Sequence, residues 1–329
     1  MTLPNVAEIK AAVERLRSVI VHAPLVPLHS YETKRDILLK VETLQPVTSF
    51  KIRGFFNAAA SLTSEERQRG LKTASSGNSA QALGWAARYF GVTALSVVPE
   101  TIPASKLEAI RNYGVTPIIV PRDELFRYTF EGPKLSEPYT FIHPWTNRMI
   151  MAGHGTIGLE ILEDLPEVET VYVPIGGGGL VSGVGAAIKA LRPSVRVVGV
   201  QPETSCHYYV AFQAGGPISY AGGETICDGV AISVPSSVDV GPGTVLGEMF
   251  SNLREVVDDM VLVPERSVKA AVRRLALRNR LVVEGAGALS VAAALATPVE
   301  ERGKTVCIVS GGSIDAVKFA SILSDWSLV

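Results

Sequence analysis

Thr170-Val171-Tyr172-Val173-Pro174-Ile175-Gly176-Gly177-Gly178-Gly179-Leu180 reads as a buried strand, a glycine turn and the first residue of a helix. The β-branched and aromatic run is short enough for a strand and closes on proline, and the apolar pattern after Leu180 carries to Leu191 at helical spacing. A glycine turn at that junction lets backbone N–H groups converge on a phosphate, which also meets the positive end of the helix dipole. Two other readings stand beside it. Such glycines also serve close strand–helix packing. A dinucleotide fingerprint would want a third glycine where Ser182 stands, although Glu203 lies about 20 residues on, as that motif requires.

Outward from this unit the same alternation continues. Strands are predicted at Ile37 to Val41, Ala94 to Val98, Thr116 to Val120, Thr170 to Pro174, Val195 to Val200, Asp259 to Val263 and Thr305 to Val309. Helices are predicted at Phe55 to Ala60, Asn78 to Phe90, Ser105 to Tyr113, Met149 to Asp164, Leu180 to Leu191, Glu265 to Arg278, Glu284 to Ala296 and Ile314 to Asp325. This is an α/β chain whose sheets are mostly parallel, twisted and flanked by helices. Arg122 to Pro138, with Phe126, Tyr128 and Phe130 among charges, Gly132 and two prolines, reads as an irregular aromatic loop near a site. Gly215 to Pro242 reads as a second loop.

The 329 residues lead to an expectation of two domains, and the short tail after the last helix to one of no appended regulatory domain. Hydrophobic residues at 47%, charged ones at 19% and a formal net charge of −1 describe a large buried core without a field for nucleic acid or an anionic membrane. A small-molecule partner is expected. Cys206, Cys227 and Cys307 are odd in number and lack metal-ligand spacing, which points to reduced thiols and a cytoplasmic location. Residues 1–20 carry charges throughout, and no apolar run approaches ~18 residues, so neither a leader nor a membrane span is expected.

Three further segments carry chemistry. Thr48-Ser49-Phe50-Lys51-Ile52-Arg53-Gly54 places one lysine among apolar and aromatic neighbours at a helix start, where an amine sheds its proton and forms a Schiff base; a snorkelling lysine is the plain alternative. Ser75-Ser76-Gly77-Asn78-Ser79 gathers hydroxyl, amide and N–H donors suited to a carboxylate, or is an ordinary N-cap. Ser310-Gly311-Gly312 repeats that architecture after the last strand.

Lys51, the SSGN turn, the GGGGL turn, Cys227-Asp228-Gly229, Glu284-Gly285-Ala286-Gly287-Ala288 and the terminal SGGS stand in the order found in the pyridoxal-phosphate-dependent serine/threonine dehydratase and serine racemase family. The chain resembles that family along nearly its whole length. The resemblance implies a tryptophan synthase β-like fold, with pyridoxal 5′-phosphate (PLP) in an interdomain cleft. A large domain would comprise 1–62 plus 148–329, and a small one, 63–147, would carry the SSGN substrate loop. It implies that Lys51 holds PLP covalently, Phe50 packs on its ring, Asn78 contacts the ring hydroxyl, Gly176, Gly177, Gly178, Gly179 and Leu180 cradle the phosphate, and Ser310 reaches the pyridine nitrogen. Gly229 and Glu284 would line the cofactor pocket. Ser75, Ser76, Asn78 and Ser79 would receive the substrate, with Ser76 also a candidate catalytic acid opposite Lys51. A homodimer is implied too.

The chain departs from the family pattern in three places. Ser79 stands where histidine is common. Gln201 and His207 stand where a divalent-cation site has carboxylates, so no metal of that type is expected and His207 is read as a surface or hydrogen-bonded side chain. Trp145, followed by Thr146-Asn147-Arg148, alters a wall expected to face the substrate. The resulting expectation is a PLP-dependent ammonia-lyase acting on a β-hydroxy-α-amino acid, with a β-aryl substrate such as phenylserine if the aromatics form that wall. Threonine, serine or hydroxyaspartate dehydratase, amino-acid racemase, a PLP-binding protein without turnover, and a dinucleotide-dependent oxidoreductase stand as alternatives.

Overall fold

A computed structural model describes residues 2–29, 36–133 and 137–328. Its strands are β1 Leu25–Pro27, β2 Ile37–Val41, β3 Leu71–Ala74, β4 Ala94–Pro99, β5 Val115–Val120, β6 Thr140–Phe141, β7 Thr170–Pro174, β8 Arg196–Pro202, β9 Asp259–Val263 and β10 Thr305–Val309. Among the described residues they form two sheets, ordered β1-β2-β10-β7-β8-β9 and β5-β4-β3-β6. Every pairing is parallel except β1 with β2. Helices cover both faces of the larger sheet, which is why all five residues of β7 and of β10 are buried and read as unbroken apolar runs.

Strands β2, β7, β9 and β10 coincide with the sequence expectation, and β4, β5 and β8 do so to within two residues at either end. The strand β6 spans two residues and β1 three half-buried ones, too short for a periodic signal. In β3 the pattern is masked by Lys72, a charge in a buried strand that Glu137 and Tyr128 hold at 2.9 and 3.1 Å.

The expected irregular loop at Arg122 to Pro138 is corrected. Arg122–Phe130 is a helix, while residues 134–136 lie outside the described residues. Pro121 stands at its N-cap, Asp123 and Glu124 complement the dipole of its first turn, and Phe126 and Phe130 pair one turn apart with ring centroids at 6.1 Å. Gly132, at φ +84°, and Pro133 stop this helix; they do not mark a loop throughout. The helix expected over Glu265 to Arg278 ends at Arg274, and one wider turn, Leu275–Asn279, follows. Gly215 to Pro242 has neither a helix nor a named strand, and an isolated bridge pairs Tyr220 with Val234.

The helix that begins at Lys51 is locked from its far side. Arg53 is fully buried, and its guanidinium bonds Glu42 at 2.8 Å twice and Glu160 at 2.6 and 2.9 Å. Removing one partner from such a cluster leaves an uncompensated buried charge, a loss on the order of 3–5 kcal/mol. Nearby, the backbone of Arg53 crosses Gly153 of helix Arg148–Asp164 so closely that a Cβ there would meet the Arg53 carbonyl.

Candidate active site

Ser75, Gly176 and Ser310 follow the carboxyl ends of β3, β7 and β10, and all three border one cavity of about 730 Å³. Open parallel sheets place ligand sites at such strand ends. The cofactor and substrate residues expected from the sequence all border this cavity: Phe50, Lys51, Ser75, Ser76, Asn78, Ser79, Trp145, the run Gly176 to Leu180, Gly229, Glu284 and Ser310.

Backbone hydrogen bonds tie three of these segments together. Phe50 N–H donates to the Ser310 carbonyl at 3.1 Å, Gly312 N–H to Thr48 at 2.9 Å, and Glu284 N–H to Gly311 at 3.1 Å. Thr48 adopts φ +52°, a conformation strained for a β-branched residue, just before Lys51. Lys51 opens the helix Lys51–Ser61, and its Nζ lies 4.8 Å from the centroid of the Phe50 ring. Burial lowers the pKa of this amine to about 8, against the pull of Glu284. The acid itself is buried; burial first, and the neighbouring Asp228 charge second, push its pKa up to about 7. Its Oε1 accepts from Asn78 Nδ2 at 2.9 Å. Two groups that titrate near neutrality therefore share the cavity, the arrangement that proton-transfer chemistry needs.

Helix Asn78–Phe90 starts at Gly77 with no side-chain cap. Ser75 Oγ instead accepts from Gly77 N–H at 3.2 Å, so the capping alternative does not account for Ser76 or Ser79. In the glycine loop, Gly178 has φ +92° and caps helix Gly179–Leu191 with backbone alone. A Cβ on Gly178 would come within 2.8 Å of Leu253 and 2.9 Å of Met249, and one on Gly177 would collide with the Trp145 indole. The loop has room for backbone only, and its helix N-terminus faces the cavity.

Sequence reasoning missed two neighbours. Lys106 pairs with Asp228 at 2.6 Å at the cavity edge, joining helix Ala104–Asn112 to the Cys227-Asp228-Gly229 segment. Over so long a separation no local pattern announces the pair. His154, fully buried inside a glycine-rich apolar helix, packs edge-on against Phe50 with centroids at 4.7 Å, and burial together with Lys51 holds its pKa down to about 3. Gln201 and His207 are engaged by protein atoms: Gln201 bridges the Ile175 carbonyl at 3.2 Å and Tyr209 N–H at 2.9 Å, and the His207 ring meets the Ile218 carbonyl at 3.1 Å. His207 is buried, not at the surface.

Residues 16–311 match the family described as pyridoxal-phosphate dependent enzyme. The chain belongs to this family. It is 40% identical over 314 residues to the L-threonine ammonia-lyase of Thermotoga maritima, covering 94% of this chain and 75% of that protein. Among solved structures it is similar to maize serine racemase, with a TM-score of 0.84, 30% identity and 97% of each chain covered. It is also similar to the threonine deaminase of Solanum lycopersicum (processed form of isoform 2), with a TM-score of 0.82, 28% identity, and 100% and 95% of the two chains covered. As a pyridoxal-phosphate-dependent enzyme, a lyase of that family, it takes PLP as its cofactor, which removes the dinucleotide alternative. The site fits that group: an amine of lowered pKa stands at the cavity wall, and a glycine cradle open only to backbone stands at a helix N-terminus.

Proposed function

We propose that the chain is a hydroxy-amino-acid ammonia-lyase that converts threonine or serine to the 2-keto acid and ammonia. The observation that carries this is that Lys51 and Glu284, tuned to about 8 and about 7, border one cavity together with the uncapped SSGN helix start and the glycine cradle. The name of the Thermotoga relative supports the substrate class.

In this reading Lys51 would hold the cofactor through its amine, and its Nζ would take the α-proton of the substrate; its lowered pKa keeps a useful fraction of free amine near neutral pH. PLP supplies the electron sink that makes that proton acidic and lets the β-hydroxyl leave. Ser75, Ser76 and Ser79, with the first N–H groups of helix Asn78–Phe90, receive the substrate carboxylate. Gly176 to Leu180 would hold the phosphate, Phe50 would pack on the ring, Gly229 would line the ring pocket, and Asn78, braced by Glu284, would meet the ring hydroxyl. Ser310, a neutral hydroxyl, serves the pyridine nitrogen and leaves it mostly unprotonated. That favours elimination over transamination.

The domain division at 1–62 plus 148–329 and 63–147, with this cleft between the parts, belongs to the same proposal. It is supported by the confinement of β3 to β6 to one sheet. Among the described residues no helix is long and apolar enough to cross a membrane, and the three cysteines are buried and unpaired, which supports a cytoplasmic location; a homodimer is the state to test by sedimentation.

One observation favours a larger β-substituent as a second reading. Leu125, Phe126, Phe130 and Trp145 all border the cavity, and burying a phenyl group among them would gain on the order of 2 kcal/mol. Keto acid, ammonia and chirality of recovered substrate, measured together for serine, threonine, hydroxyaspartate and phenylserine isomers, test the proposal. Threonine or serine turned over fastest is the expected result. Racemised substrate without ammonia would refute the lyase assignment, and a dominant phenylserine rate would select the second reading.

A further inference from the structure

His143 is committed at both ring nitrogens. Its Nδ1 accepts the backbone N–H of Trp145 at 3.1 Å and that of Thr146 at 3.2 Å, so Nδ1 carries no proton. Its Nε2 faces the Thr129 carbonyl at 2.9 Å and therefore donates. Thr129 lies in the last turn of helix Arg122–Phe130, where carbonyls lack intrahelical partners. One neutral tautomer thus closes a helix end and folds the Pro144–Thr146 turn, and enclosure of the ring, which holds its pKa down to about 4, keeps it neutral. That turn lies directly on the glycine cradle. The Trp145 indole fills the space that a Cβ on Gly177 would need, and the Trp145 carbonyl stands 3.1 Å from the corresponding position on Gly179. Phe130 and the His143 ring itself each pack edge-on against the indole, with centroids at 5.9 Å in both pairs.

We propose that His143 is a positioning residue for the cofactor: by fixing the Pro144–Thr146 turn it seats the Trp145 indole against Gly177 and holds the glycine loop in its phosphate-receiving shape. This rests on the reading that the loop takes the PLP phosphate. The essential bonds are those at Nδ1, because they shape the turn itself; the Nε2 bond only joins it to the neighbouring helix.

Two substitutions separate the two nitrogens. In His143→Asn the amide oxygen stands near the place of Nδ1 and retains an acceptor for the two N–H groups. In His143→Gln the amide nitrogen stands near the place of Nε2 and retains the donor to Thr129 but leaves those N–H groups without a partner. PLP and pyridoxal are titrated into the cofactor-free chain, read by cofactor absorbance and tryptophan emission, with thermal midpoints measured alongside. Losing the acceptor corresponds to roughly a 5- to 30-fold weaker Kd. We expect His143→Gln to bind PLP weaker by that factor with red-shifted emission, and His143→Asn to stay within about threefold of wild type. Trp145→Phe, which keeps the histidine bonds and shrinks the seated ring, should also weaken PLP binding, and it tests the seating should the Gln variant not fold. Equal losses in the Asn and Gln variants, or wild-type affinity in Gln or in Trp145→Phe, would overturn the assignment of His143 while wild type still prefers PLP to pyridoxal. Equal wild-type affinity for PLP and pyridoxal would instead remove the phosphate cradle itself, and the proposal with it.

Discussion

Replacing Glu284 by glutamine tests whether the cavity holds a carboxyl group that resists ionisation. Burial and Asp228 raise its pKa from 4.5 to about 7, so the folded chain binds this proton more tightly than the unfolded chain does. A carboxyl of raised pKa contributes stability that is fully present below pH 4.5 and is lost as pH rises through 7. The rise from 4.5 to about 7, at about 1.4 kcal/mol per pH unit, makes that loss on the order of 3 kcal/mol. Glutamine keeps the shape and accepts from Asn78 through its amide oxygen but does not titrate. Urea unfolding of the cofactor-free protein, wild type and Glu284→Gln, at several pH values from about 4 to about 7.5 measures the difference. Lys51, whose lowered pKa of about 8 lies above this window and acts with the opposite sign, loses the upward pull of Glu284 in the variant, which adds in the same direction as the expected difference, and groups coupled to neither cancel to first order. The stability of the variant relative to wild type should rise by about 3 kcal/mol from the acid end to the neutral end. Parallel pH profiles for the two proteins would show that Glu284 ionises as an ordinary exposed glutamate and would remove the tuned pair from the site.

Lys51→Ala should abolish turnover and the borohydride-reducible cofactor adduct, and mass mapping of that adduct to a different lysine would contradict the assignment. Ser310→Asp should place a carboxylate in a nearly fully buried position, weaken PLP binding and shift products from keto acid with ammonia toward transamination, whereas Ser310→Ala should only slow elimination; unchanged kinetics and products in both would leave Ser310 without a role at the cofactor. Chelation should leave activity and thermal midpoint unchanged, because Gln201 already joins Ile175 to Tyr209 through its amide, and a loss restored by magnesium, calcium or manganese would show a bound ion that stabilises by mass action. Reversing the Lys106–Asp228 pair as Lys106→Asp with Asp228→Lys should recover most of the KM lost in either single variant if the pair closes the cavity edge, and a double variant no better than the worse single one would argue against that.

The glycine loop shows where a sequence is legible and where it stops being so. A run of glycines between a strand and a helix is read from the sequence as a phosphate seat, and the loop opens on the cavity. Yet two of its four glycines answer to something no local pattern contains. Gly177 has no room for a Cβ because a turn about thirty residues earlier in the chain lies on it, and Gly179 lies close against the same turn; the turn is held there by a histidine whose partners are a helix end on one side and its own following backbone on the other. The same asymmetry runs through the rest of the fold. Strands buried on both faces, such as β7 and β10, write themselves into composition, but β3 hides behind Lys72, whose charge is admitted by Glu137 and Tyr128 from a distant segment. Lys51 is legible as a residue type in an apolar setting; its pKa of about 8 depends on a cavity assembled from both sheets, and on Glu284 far along the chain. Motifs therefore locate the groups that border the cavity, while the tuning of those groups resides in long-range pairs, such as Asn78 with Glu284 and Lys106 with Asp228, that become visible only when the chain is folded. For the same reason the motifs point to a substrate class, whereas the proposed discrimination among β-substituents depends on the place where helix Arg122–Phe130 meets Trp145, the segment whose helix the sequence pattern concealed.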